Sequence, residues 1–413
     1  MKAEIITIGD ELLIGQTIDT NSAWMGAELS SIGFEVVQIT SISDKKNHII
    51  STLKTKVGQA DVVLITGGLG PTSDDITKQT LCEFFETKLV FCEEVYNDIE
   101  KMLIRRNFLM NDNNRRQAEI PESCRVLRNA TGTAPGMWFE KDGTIFISMP
   151  GVPYEMKYIM TEHVIPELKS RFTSQHIIHR NIMTYGTFEA RLAEILSDFE
   201  ASLPDNIKLA YLPSSGVIKL RLSGNGTSRS KLESIVGEQL DKLYKIIPEF
   251  IYGENEESLE MVTGKLLSNK NQTLSTAESC TGGRISQLIT SVPGSSAYFK
   301  GSVIAYDNSV KTGILGVSSD LINKWGAVSR ETVVKMAEGV RALLNTDYAV
   351  ATSGIAGPTG ETDEKPVGTV WIAVASADAT VAEKYTFGND RNINIMRFSL
   401  AALNLLRKQI IGK

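Results

Sequence analysis

The strongest constraint on this chain is a recurring pattern. A short apolar run of strand length stops at glycine beside an acid or hydroxyl, and a helical segment follows. Ile5 to Ile8 stops at Gly9-Asp10-Glu11, Asp61 to Thr66 at Gly67-Gly68, and Ile145 to Ser148 at Met149-Pro150-Gly151. Gln272 to Ala277 stops at Glu278-Ser279, and Tyr348 to Thr352 at Ser353-Gly354. Between such runs, Trp24, Met25, Leu29 and Ile32 recur at helical spacing, with Thr20-Asn21-Ser22 as the expected cap. Ile49, Leu53 and Val57 mark another helix. Strands alternating with helices predict parallel sheets covered on both faces. Ligands then bind beyond the carboxyl ends of the strands, where these glycines and acids gather.

At about 150 residues per domain, 413 residues suggest two to three domains. Three segments are expected. Residues 1–170 form a doubly wound α/β domain, 172–252 a small α+β module, and 256–413 a second α/β domain. The middle segment reads strand, helix, strand, strand, helix, and resembles a KH module. An RNA role is disfavoured there. Lys and Arg balance Asp and Glu over 180–250, and Gly224-Asn225-Gly226 is not the G-x-x-G loop that grips RNA. A structural spacer is the expectation. The net charge of −6 argues against a large basic nucleic-acid surface.

A hydrophobic fraction of 42% with 22% charged residues excludes bulk disorder. The longest apolar runs, such as Val62-Val63-Leu64-Ile65, fall far short of the roughly 20 residues that cross a bilayer. The N-terminus reads as a strand rather than a signal peptide. Cys82, Cys92, Cys124 and Cys280 form no C-x-x-C pair. A cytoplasmic protein with reduced thiols and no zinc site is expected. No histidine lies beyond His179, so chemistry in the last segment must find another base.

The first candidate site is Thr66-Gly67-Gly68-Leu69-Gly70-Pro71-Thr72-Ser73-Asp74-Asp75. Glycines let backbone approach an anion, and a following helix start offers free N–H groups. Asp10, Glu11, Asp44 and Asp75 can converge near it, a donor set suited to hard cations such as Mg²⁺. With Pro150-Gly151-Val152-Pro153, these motifs resemble the molybdopterin-binding fold of the MoaB, MogA and MoeA proteins. The Gly9-Asp10-Glu11-Leu12-Leu13 variant is similar to the N-terminal domain of the CinA family. That resemblance covers 1–170 and implies metal-dependent hydrolysis of ADP-ribose. It places Gly67, Gly68 and Gly70 around phosphate and Asp44 and Asp75 in the pocket. Asp10, Asp44 and Asp75 are the expected ligands of a divalent metal (Mg, Mn or Co). Asn129 to Gly136 resembles a family loop beside the ligand.

The second candidate site is Ala277-Glu278-Ser279-Cys280-Thr281-Gly282-Gly283. The helix that follows can stabilise developing negative charge. Ser279, Cys280 and Thr281 are all possible nucleophiles, and each needs a base. A lysine made neutral by burial can serve, and Lys311 beyond the strand ending at Tyr306 is a candidate. The 353–358 loop, Ser353 to Pro358, and Arg391 before the last helix are candidate anion binders, with Asn389 the expected cap.

Those motifs, with Pro293-Gly294-Ser295-Ser296, Gly326-Ala327-Val328-Ser329 and Lys365-Pro366-Val367-Gly368-Thr369-Val370, resemble the C-terminal domain of the CinA family. That domain is similar to the stand-alone nicotinamide mononucleotide deamidase PncC. The resemblance implies Ser279 as nucleophile, Lys311 as base and Tyr306 as its support. Thr281, Gly282, Gly283, Ser353, Gly354, Gly357 and Arg391 would bind substrate, and no metal or other cofactor is needed. It further implies a homodimer. The rival readings are a non-catalytic nucleotide-sensing or partner-binding protein, and a pterin-binding protein.

Overall fold

The computed structural model describes residues 1–412 except 73, 74, 173–175 and 215. Ser73 and Asp74 of the glycine loop therefore lie outside the described residues. The chain forms two compact units, Met1–Ile178 with Gly224–Ile235, and His179–Ser223 with Val236–Lys413.

The first unit is built on strands β1 (Lys2–Ile8), β2 (Glu35–Ile42), β3 (Val62–Thr66), β6 (Arg125–Leu127), β7 (Gly136–Lys141) and β8 (Thr144–Met149). A separate pair, β4 (Leu89–Phe91) and β5 (Glu119–Pro121), is antiparallel. The large sheet runs β2-β1-β3-β8-β7-β6. At its centre β1 is parallel to both β2 and β3, with Ile5 opposite Ile39 and Leu64. Successive side chains alternate between two cores. Ile5, Leu64 and Ile147 pack with Met25, Leu29 and Met156, while Ile6, Val63 and Phe146 pack with Ile49, Leu53 and Leu81. Burial on both faces is why β3, Val-Val-Leu-Ile-Thr, is nearly a continuous apolar run.

The expectation of an all-parallel sheet is corrected on one side. β7 and β8 pair antiparallel. They are joined through Asp142-Gly143, whose φ angles of 49° and 80° are those of a tight two-residue hairpin turn. The helix Thr20–Ser31 is capped by Asp19, not Thr20, through the amide of Ser22 at 2.9 Å.

β9 (His176–Tyr185), β10 (Ile207–Ser214), β11 (Val217–Gly226) and β12 (Ile251–Glu254), most of whose residues belong to the second unit, form a sheet in the order β10-β11-β9-β12. The first helix expected in the middle segment is two short helices, Glu189–Ile195 and Ser197–Ala201, and β12 is a further strand beyond those expected. Gly224-Asn225-Gly226 belongs to the end of β11 rather than to a loop.

A five-stranded sheet follows: β13 (Leu274–Glu278), β14 (Phe299–Ile304), β15 (Tyr348–Gly354), β16 (Thr369–Ala375) and β17 (Thr380–Thr386), ordered β14-β13-β15-β16-β17. β13 is parallel to β14 and β15, whereas β16 and β17 run antiparallel. Its faces are again divided. Val350 and Ile372 pack with Phe398, Leu403 and Leu406 of the final helix Arg391–Ile411. Ala277, Ala349 and Ala351 pack with Met336 and Val340 of the helix Arg330–Leu344. Among the described residues no helix is long and apolar enough to cross a membrane.

Two candidate active sites

In the first unit the carboxyl ends of β1, β2, β3 and β8 open together. Gly9 N–H donates to the Ile42 carbonyl and Gly67 N–H to the Met149 carbonyl, both at 3.1 Å. They frame a cavity of about 390 Å³ lined by Glu11, Asp44, Gly67, Gly68, Gly70, Asp75, Gln117 and Glu155, with no lysine or arginine. Gly67 and Gly68 are required as glycines. Their φ angles are 116° and 64°, and a Cβ on Gly67 would lie 2.1 Å from the Ile8 carbonyl oxygen.

Asp44 sits at the focus of the acids. Burial raises its pKa above the ordinary carboxylate value. The Asp10 amide, donating at 3.1 Å, opposes this, and the charges of Asp10, Glu11 and Asp75 add to it. Asp75 accepts from the amide and hydroxyl of Thr72, tying the glycine loop to itself. The side chain of Asp10 does not line the cavity; Glu11 does. Nor is the helix Thr77–Phe84 an open anion site at its first residue, because the Thr77 amide donates to the Gly68 carbonyl at 3.2 Å.

The acids are hard oxygen donors with no cation of the chain among them, which fits a divalent metal. They are not gathered around one point, however. Among the described residues, no group of three or more His, Cys, Asp or Glu is placed to hold a metal ion. A metal here would take most of its shell from water and a substrate phosphate, as Mg²⁺ commonly does.

Glu155 was missed by sequence reasoning. It lies in the first turn of the helix Pro153–Ile159, where an acid reads as an ordinary dipole partner. Here it is buried, which raises its pKa, and it accepts from Asn129 Nδ2 at 2.6 Å. Asn129 Oδ1 in turn accepts from the amides of Thr131 and Gly132 at 3.0 Å, folding the Asn129–Gly136 loop against the cavity.

In the second unit, β13, flanked by β14 and β15, ends at Glu278, whose side chain is wholly buried. The turn that follows is pinned on both sides. Ser279 N–H donates to the Thr352 carbonyl at 3.1 Å, and Ala305 N–H to the Glu278 carbonyl at 2.8 Å. Gly282 and Gly283 take left-handed φ angles of 58° and 97° and turn the chain into the helix Arg284–Thr290. The Glu278 carboxylate accepts from the amides of Gly283, Ile285 and Ser286 at 3.0, 3.0 and 2.8 Å, and from the Ser286 hydroxyl.

The first turn of that helix is therefore already satisfied by Glu278. This corrects the expectation that it faces a reacting group. The amides of Cys280 and Thr281 make no backbone–backbone hydrogen bond among the described residues, so they are the donors left to an oxyanion. Burial pushes the Cys280 thiol up to about 12, which removes its thiolate at neutral pH. The Thr281 hydroxyl is tied to that of Thr352 at 2.8 Å.

Lys311 lies in the short helix Asn308–Gly313, capped by Asp307 through the Ser309 amide at 2.8 Å. Only 1% of Lys311 is exposed. Its Nζ donates to the Tyr306 carbonyl at 3.0 Å and has no ion pair among the described residues. Burial lowers its pKa below the ordinary lysine value, with Asp307 and Cys280 partly opposing. Tyr306 holds the amine through its backbone carbonyl. The exposed phenol instead accepts from Arg391 Nη2 at 3.3 Å.

Arg391 also donates to the Gly357 carbonyl at 2.7 Å, joining the last helix to the 353–358 loop. The Ser353 hydroxyl is tied to the Ala327 carbonyl at 2.7 Å, and Gly354 packs beneath Thr369, where a Cβ would lie 2.6 Å from its carbonyl oxygen. The helix is capped by Asp390, not Asn389. Asn394 was missed. Buried on the final helix, it donates to the carbonyls of Ala356 and Gly388 at 3.0 and 2.7 Å. An asparagine among the buried apolar residues of that helix was the available signal.

These features define a multidomain α/β protein with two sites at strand carboxyl ends, one acidic and glycine-lined, the other built on a buried lysine near a hydroxyl-bearing turn. Family models match residues 4–170 ("Probable molybdopterin binding domain"), 179–253 ("Damage-inducible protein CinA KH domain") and 256–410 ("CinA C-terminal domain"). A CinA-like protein of Cytophaga hutchinsonii is 48% identical over 99% of this chain and 98% of its own length. One of Flavobacterium psychrophilum is 48% identical over 100% and 99%. The chain belongs to the CinA family. A solved structure, the competence/damage inducible protein CihA from Agrobacterium tumefaciens, is 35% identical, covers 36% of this chain and 91% of its own, and has a TM-score of 0.35.

Proposed function

We propose that residues 256–413 hydrolyse nicotinamide mononucleotide to nicotinate mononucleotide and ammonia. The observation that carries this is Lys311, buried, with its Nζ on the Tyr306 carbonyl and no ion pair among the described residues, and close enough to Cys280, the neighbour of Ser279, for their charges to interact. A lysine kept from its counter-charge is a base at a pH where an exposed one is not. Ser279 Oγ attacks the carboxamide carbon while Lys311 Nζ takes its proton. The amides of Cys280 and Thr281 hold the oxyanion. As the C–N bond breaks, the Lys311 ammonium gives its proton to the nitrogen and ammonia leaves. Water then attacks the acyl-enzyme, Lys311 accepts a proton from it, and Ser279 Oγ recovers one. Arg391 and the 353–358 loop hold the nucleotide phosphate.

Ser279→Ala is expected to lower ammonia release from nicotinamide mononucleotide by at least about 10³-fold. EDTA should leave the wild-type rate unchanged. A folded wild type that binds the nucleotide without releasing ammonia would favour the non-catalytic sensing reading.

For residues 1–170 we propose hydrolysis of ADP-ribose with Mg, Mn or Co. Asp44, with Glu11 and Asp75, would hold the metal, and the amides of the Gly67–Gly70 loop would hold the diphosphate. When bound, the metal supplies Lewis-acid polarisation and an acidified water. Asp44→Asn is expected to cut AMP formation from ADP-ribose by at least about 100-fold at saturating metal. EDTA should abolish it in the wild type. AMP formation that survives both changes would refute this assignment.

A further inference from the structure

The second unit contains a cavity of about 650 Å³ that neither Ser279 nor Lys311 lines. It lies where the end of β9, the connection from β10 to β11, the end of β17 and the final helix meet. Its volume is in the range of small-molecule sites. Four aromatic side chains line it: Tyr185, Phe188, Tyr385 and Phe387. Tyr385 and Phe387 present near-parallel rings, 6.1 Å apart at 11°, and Phe387 is backed by buried Phe398 at 5.7 Å. That makes a fixed flat platform. Phe188, by contrast, is 64% exposed, a large apolar ring with unburied area at the cavity edge.

Two polar groups there lack partners. Arg397 is half-buried and makes no hydrogen bond or ion pair among the described residues. The Thr187 hydroxyl is buried with no hydrogen-bond partner. Glu189 is the one acid in the lining, and it is exposed. A desolvated charge demands a counter-charge more than a solvated one does. The Tyr385 phenol is committed to Glu383 and is not competing for the guanidinium.

We propose that this cavity binds a planar aromatic anion, a heteroaromatic ring that carries a phosphate or a carboxylate. The ring stacks on Tyr385 and Phe387 and is covered by Phe188. The anion pairs with Arg397, whose planar fork matches either group, and the Thr187 hydroxyl donates to it or to the ring substituent. The proposal does not depend on the catalytic readings above, because it is read by binding alone.

The test is isothermal titration calorimetry of the full chain with AMP, nicotinate and inorganic phosphate. The wild type is compared with Arg397→Gln and Phe188→Ala. Neither residue lines the cavity in the first unit or belongs to the Ser279 site, so binding at those places cancels in the comparison. Each substitution is expected to weaken one class of sites for AMP or nicotinate by about tenfold or more, the loss of a charge-assisted pair or a stacked ring. Inorganic phosphate, lacking a ring, should bind all three proteins alike. A loss confined to AMP assigns a phosphate ligand, and one confined to nicotinate a carboxylate. If both substitutions leave both isotherms unchanged, or neither ring compound binds the wild type, the proposal fails. Phe188→Ala alters an exposed ring and keeps the test usable should Arg397→Gln fold poorly.

Discussion

Lys311→Met is expected to reduce ammonia release from nicotinamide mononucleotide by about 10³- to 10⁴-fold while the protein stays folded. Methionine fills much of the same buried space and removes a group whose charge burial penalises. Lys311→Arg should be as inactive and less stable, since a guanidinium cannot be neutralised. The pH dependence carries a sign that separates a base from a structural lysine. The amine must be neutral to accept the serine proton, so kcat/KM should climb with pH, levelling at an apparent pKa below the ordinary lysine value.

Stability follows the same direction. With the folded pKa lowered, the unfolded chain binds the proton first as pH falls through the ordinary lysine range. Stability is therefore full above that range and is lost down to the folded pKa. Lys311→Met should lack that loss. A Lys311→Met variant that retains turnover, or a wild-type rate that falls as pH rises, would remove Lys311 from the mechanism.

Glu278→Ala is expected to be the most destabilising single change near this site, at about 3–5 kcal/mol. The reason is local and additive. Three amides and the Ser286 hydroxyl at the start of the helix Arg284–Thr290 lose the wholly buried carboxylate that accepts from all of them. Glu278→Gln should be milder but still harmful, because its NH₂ must face an N–H donor on one side. Chemical denaturation with a common m-value measures both. Deamidation should fall too, because Glu278 anchors the turn carrying Ser279. A loss below about 1 kcal/mol would mean that water or a rearranged backbone replaces the carboxylate.

Much of this was legible because it is local. Apolar runs of strand length, glycine stops and helical spacing are decided within a few residues, so β1, β3, β8, β13 and β15 and the long helices could be placed. The hairpin at Asp142-Gly143 was equally local and was passed over, which left the sheet wrongly all-parallel. Two caps fell beside the residues expected, Asp19 just before Thr20-Asn21-Ser22 and Asp390 just after Asn389, where neighbouring polar side chains compete for the same amides.

The residue types at both sites, the lack of histidine after His179 and the glycines at Gly67, Gly68, Gly282 and Gly283 were determined by the sequence alone. Such glycines answer to backbone sterics, which a residue carries with it. What only the tertiary structure decided is which charged groups lose water. Nothing in the order of residues distinguishes Glu155 or Arg397 from the many solvated acids and bases around them, and Lys311 and Glu278 were picked out by their motifs, not by any sign of burial. Burial is a property of what packs above a side chain, and here the covering segments come from parts of the chain distant in sequence. That packing buries Lys311 with the Tyr306 carbonyl at its amine, fills one helix start with Glu278, and sets Arg397 beside four aromatic rings.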